Sequence, residues 1–147
     1  MDQKFASHIK GLDKSYKKLL AMEACTIRDI PTDCPTGGVY LFSERGKPLY
    51  AGRTRRSIKV RLQGHVTPNS EACPFAWRLA REKTGLDGSR KVLLANPTFS
   101  TAFENAKERI KLMKVKYVAE TDPTRQALLE IYVAVASGAK HNDFDTH

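Results

Sequence analysis

Apolar positions alternate with polar ones at Val39, Leu41, Leu49 and Ala51, and this period of two predicts the two strands of a hairpin. The intervening Glu44-Arg45-Gly46 decides the register. A three-residue loop with Gly46 left-handed sets Ser43 opposite Lys47 and Tyr40 opposite Tyr50. A two-residue Arg45-Gly46 turn instead pairs Tyr40 with Ala51 and sends the two phenols to opposite faces. The first register is preferred, because it leaves one face uniformly aliphatic and pairs two phenols on the other. A basic loop follows, then a helix from Ser57 with Ile58, Leu62 and Val66 as its buried stripe.

Helical spacing governs most of the remaining chain. Phe5, Ile9, Leu12, Tyr16 and Leu19/Leu20 predict an amphipathic helix, or two broken near Gly11, serving either core packing or a dimer contact. Pro74 opens a helix through Phe75, Trp77, Leu79 and Ala80 that stops at Gly85, with Trp77 read as core rather than as a base-stacking platform. Ser89 caps a short helix to Ala95, and Asn96-Pro97 breaks the pattern. Phe99, Phe103, Ala106, Ile110 and Met113 mark the next helix, with Thr101 and Glu104 spaced as a capping box. The bases on its outer side, Lys107, Arg109, Lys111 and Lys114, read as solvated. Val115 to Glu120 alternates as a third strand, and Asp122-Pro123 starts the last helix.

That last helix carries ALLEIYVAVA from Ala127 to Ala136, apolar nearly all round, so it is expected to be enclosed on most sides. Glu130 is the one charge in the run. Burying a lone carboxylate costs several kcal/mol, so Glu130 is expected to pair with an arginine, to be hydrogen-bonded or protonated, or to hold a cation.

Charge changes the picture most around the hairpin. Between Arg45 and Ser70 stand seven bases and no acid, within a chain of net charge +9. A solvated basic face is the plain reading, but the phenol pair beside it favours a phosphate site. Arg55 and Arg56 precede the helix, where cations are slightly unfavourable unless an anion docks. Lys59 adds to the same nucleic-acid-binding set, and Arg61 and His65, four residues apart, project together. The 147 residues suffice for one domain with a core of its own. No apolar run approaches a membrane span, and the N-terminus has no signal-like segment. Cys25, Cys34 and Cys73 are odd in number and lack metal-site spacing, which fits a reducing cytoplasm. The closing HNDFDTH holds His141, Asn142, Asp143, Asp145 and His147, a set read as a polar tail before a metal site.

Gly38-Val39-Tyr40 and, ten residues after the first tyrosine, Tyr50-Ala51-Gly52 resemble the two signature tripeptides of the GIY-YIG nuclease family. The resemblance continues through Arg61-x-x-x-His65, the lone Glu130 and Asn142, and so covers most of the chain. Val39 and Ala51 replace the family's isoleucines, and Arg53 stands where some members carry lysine or a small polar residue. The resemblance implies an α+β fold with a small three-stranded antiparallel sheet flanked by helices. It divides the chain into an N-terminal helical extension (1–36) and a nuclease-like domain (37–147). It also implies a divalent-metal endonuclease acting on DNA, with RNA possible as a substrate. Tyr40, Tyr50, Arg53, Arg61, His65 and Asn142 would form the catalytic set, and Glu130 would hold one Mg²⁺ or Mn²⁺. Tyr40 is taken as general base with Tyr50 as its hydrogen-bonded partner, the two roles being interchangeable at this level. The alternatives are a nucleic-acid-binding module that keeps the fold without cleaving and, from basicity alone, an RNA-associated accessory protein.

Overall fold

In the computed structural model, which describes residues 1–142 and Phe144, the hairpin forms the middle of the molecule. β1 (Thr36–Glu44) and β2 (Lys47–Ser57) pair antiparallel. β3 (Lys114–Ala119) pairs antiparallel with the other side of β1, giving the order β2-β1-β3. The helices are α1 (Gln3–Ile9), α2 (Leu12–Ala21), α3 (Ile58–Gly64), α4 (Pro74–Thr84), α5 (Arg90–Ala95), α6 (Pro97–Lys111) and α7 (Pro123–Ser137). The fold is therefore α+β, a small three-stranded antiparallel sheet flanked by helices.

The register differs from both expectations. Arg45 and Gly46 have φ of 53° and 77°, so the turn is the two-residue one and Glu44 faces Lys47. The ladder then slips by one residue: Ser43 faces Pro48, whereas Phe42 faces Tyr50 and Tyr40 faces Gly52. Pro48 has no N–H to give, and Leu49 is the extra residue of the resulting bulge. The bulge turns Leu49 away from Val39, Leu41 and Ala51 and into the aromatic layer. It also returns Tyr50 to the face of Tyr40, so the phenols share a face as diagonal neighbours rather than as a pair. The supposed basic loop is the second half of β2, with Thr54 buried between exposed Arg53 and Arg55.

Two layers cover the sheet. On one face Tyr40 and Phe42 pack with Ile58, Leu62, Phe75 and Ile110. On the other, Val39, Leu41, Ala51 and Val118 pack on Leu129 and Val133 of α7 and on Leu12 and Leu19 of α2. The N-terminal helices thus share a core with the sheet through α2, whereas α1 buries nothing and leaves Phe5 exposed.

Four further expectations are corrected. Asn96 caps α6, accepting from the amides of Thr98 and Phe99, and Pro97 is its first residue. Asn96-Pro97 is therefore a start signal, and Glu104 caps nothing in its own helix but accepts from the Asn69 amide at 2.9 Å. Lys107 is not solvated: it is 1% exposed and donates to the carbonyls of Thr67 and Ser70. The last helix packs on the sheet and on α1 and α2, yet it is not enclosed all round, with Ile131 and Val135 exposed. Among the described residues no helix is long and apolar enough to cross a membrane.

Candidate active site

Tyr40, itself 1% exposed, lies on the aromatic face, and its ring crosses the neighbouring strand above Gly52. A Cβ at Gly52 would fall on the phenol itself, so glycine is required here by the ring and not by the backbone angle. Ser57 caps α3 through the Val60 amide, and Ile58 and Leu62 bury its inner stripe. One turn further on, His65 is fully buried, and its Nε2 meets the Tyr40 hydroxyl at 2.7 Å. The expected phenol–phenol hydrogen bond is replaced by this one.

Burial pushes the His65 pKa down to about 3, with the Arg61 charge adding to the shift, so the ring is neutral at ordinary pH. Its Nδ1 is buried without a partner. A proton on Nδ1 would leave an orphaned buried N–H, the rarer and costlier defect. The favoured tautomer therefore carries hydrogen on Nε2 and donates to Tyr40. Burial raises the Tyr40 pKa above that of an ordinary phenol, the nearby Tyr50 adds to this, and Arg61 opposes it.

Tyr50 is half-buried and stacks on Phe75, with centroids 4.8 Å apart and planes 8° from parallel. Its pKa is raised by burial and then by the Glu130 charge, while Arg78 and Arg61 pull the other way. Arg78 was not legible as a site residue. It sits in α4 beside Trp77, and no spacing in the sequence links it to either tyrosine.

Glu130 approaches from the α7 layer at the outer edge of β2. Its side chain is 22% exposed, and Arg53 is its ion-pair partner at 3.4 Å. Burial raises its pKa, and Arg53 offsets part of that. The carboxylate disfavours ionisation of both phenols, so it lies within electrostatic reach of each. Arg53 and Glu130, 77 positions apart in sequence, are thus neighbours.

No protein-family model, curated protein or solved structure matches this chain.

The oxygen donor at this site of the kind a hard cation takes is the Glu130 carboxylate. Glu130 is a desolvated carboxylate that gains from a positive partner, and its one long contact with a half-exposed arginine does not saturate its oxygens. Among the described residues no group of three or more His, Cys, Asp or Glu converges, so a cation here would rest on this single side chain plus water and phosphate oxygens.

The other candidates are distributed unevenly. Asn142 accepts from the Ala51 amide at 2.8 Å and donates to the Ala51 carbonyl at 2.9 Å. With His141 N bonded to Leu49 O, it forms a short strap along β2 beside Tyr50. Its observed role is to hold that strand. Arg55 and Arg56 are exposed and line a cleft of about 370 Å³ with Arg53. Lys59 is turned away from this group, its amine bound to the Ile30 carbonyl. Asp143, Asp145 and His147 lie outside the described residues.

Proposed function

We propose that this protein is a metal-dependent endonuclease that hydrolyses DNA phosphodiester bonds, in keeping with its resemblance to the GIY-YIG family. The observation that supports the reading is the buried Tyr40–His65 hydrogen bond above Gly52, with the Arg53–Glu130 pair on the next residue of β2 and the charges of Arg61 and Glu130 acting on the phenols.

Tyr40 would act as the general base toward water. A phenolate formed there is met by two stabilising groups, the Nε2–H of His65 and the Arg61 guanidinium. Arg61, with Arg53 assisting, would bind the non-bridging phosphate oxygens, a task suited to the planar fork of a guanidinium. Tyr50, the more accessible phenol, would orient the water or the phosphate. Glu130 would hold one Mg²⁺ or Mn²⁺, which when bound supplies polarisation of the phosphate and neutral charge balance at the leaving oxygen. Occupied in this way, Glu130 would cease to oppose ionisation of the phenols.

A second reading, a nucleic-acid-binding module without cleavage, is favoured by one observation. Tyr40 is 1% exposed, and burial holds its proton in place. Incubation with supercoiled plasmid, with and without Mg²⁺, separates the two. Metal-dependent nicking that disappears in Glu130→Ala and Tyr40→Phe is the expected result. Binding without nicking under every divalent ion would establish the second reading instead, and a preference for RNA would point to an RNA-associated role.

A further inference from the structure

A second cleft, of about 540 Å³, opens between α4 and the strap at residues 140–142, and Arg78, Arg81, Glu82, Lys140, His141 and Asn142 line it. It lies beyond Tyr50 from the Arg55–Arg56 end of β2, because the strap pairs with Pro48, Leu49 and Ala51. Arg78 lines it from α4: it is half-buried, and its charge opposes the rise in the Tyr50 pKa. Toward solvent, Arg81 pairs with Asp87 at 2.7 Å and Lys140 with Glu82 at 3.3 Å. Exposed pairs of this kind contribute little to stability. Bases thus stand on both sides of Tyr50 along β2, Arg78 and Arg81 on the α4 side and Arg53, Arg55 and Arg56 beyond Gly52 beside the start of α7.

We infer that the α4 cleft is a second phosphate-binding subsite, holding the nucleic-acid strand on the side of the reacting phosphodiester opposite to Arg53, Arg55 and Arg56, with Arg78 the side chain nearest the reaction. This rests on the nuclease reading for what lies between the two clefts. From Tyr50 to Arg55 the edge runs about 17 Å, the length of roughly five nucleotides at the duplex rise per strand. On this reading the domain grips one strand over several phosphates.

The test measures binding of a fluorescein-labelled DNA duplex by anisotropy in EDTA across a salt series, for the wild type, Arg78→Ala, Arg81→Ala and Arg55→Ala/Arg56→Ala. Each lost phosphate contact should reduce the slope of log K against log[salt] by about 1. Trimming the duplex from one end should abolish the effect of the Arg78 and Arg81 substitutions, and trimming from the other end that of the Arg55/Arg56 substitutions. Arg81 is exposed, so its variant reports on the cleft even if Arg78→Ala impairs folding. Unchanged slopes in both α4 variants of a protein that nicks plasmid would overturn the cleft alone. Reduced slopes without nicking under Mg²⁺ would overturn the nuclease reading alone, and absence of DNA binding would overturn both.

Discussion

The Tyr40 hydroxyl and the His65 Nε2 lie 2.7 Å apart, and neither side chain is more than 1% exposed. This contact joins a residue whose proton is held too tightly to one whose ring refuses a second proton. If Tyr40 is the base, its ionised fraction rises tenfold per pH unit below its pKa, so log kcat/KM should climb with a slope near 1 across neutral and alkaline pH. His65, held near 3, should add no inflection around 6.5. Nicking rates measured from slightly acid to alkaline pH check this, and an inflection near 6.5 that His65→Phe removes would refute the assignment.

The same histidine makes stability depend on pH. Its folded pKa is lowered to about 3 from an ordinary 6.5, so between those values the unfolded chain binds a proton that the folded one does not. Stability is therefore complete above about 6.5 and falls as pH drops, by at most about 1.4 kcal/mol per unit. Burial lowers His141 too, which acts in the same direction. Urea unfolding of the wild type and of His65→Phe across this range should show a shallower acid loss in the variant.

Gly52 leaves Tyr40 its place because it carries no Cβ. The Cβ of Gly52→Ala would collide with a phenol that is buried and bonded to His65, and overpacking of this kind costs about 1–3 kcal/mol. Thermal unfolding should show that loss, together with loss of any tyrosine-dependent nicking. In a Tyr40→Val background the same alanine should cost much less, because the colliding ring is gone. Equal costs in both backgrounds would contradict the close approach.

Asn142 should matter to β2 before it matters to chemistry. Asn142→Ala removes both bonds to Ala51, roughly 1–2 kcal/mol for a half-buried amide. Hydrogen exchange at the Ala51 amide should accelerate, with Tyr50 losing its fixed position as a consequence. Unchanged exchange would mean that the strap does not hold the strand.

Much of this arrangement was readable from local pattern, and the exceptions share a cause. Val39, Leu41 and Ala51 share a face because alternation is a local property, and Glu130 drew attention as the sole charge in an apolar run. Leu49 escaped because a bulge beside Pro48 shifts the period, and no counting across the turn anticipates it. Arg78 and Lys107 escaped for a different reason. The tyrosine that Arg78 acts on and the loop carbonyls that hold Lys107 lie on other elements, so spacing alone does not distinguish these two from solvated bases.

Lys107 gives that last point an experimental form. Its amine donates to the carbonyls of Thr67 and Ser70 at 3.0 and 2.8 Å and pairs with Glu104 at 2.7 Å, tying α6 to the loop that leaves α3. Its stem runs against Phe103, with the ammonium 4.3 Å from the ring centre. Lys107→Met preserves the stem but strands two loop carbonyls, and it should cost roughly 2–4 kcal/mol. Lys111→Met, four residues along the same helix, breaks only an exposed pair with Glu108 and should stay within about 0.5 kcal/mol. Chemical denaturation of the two variants decides between a buried tether and a solvated base, since a solvated Lys107 would make them alike.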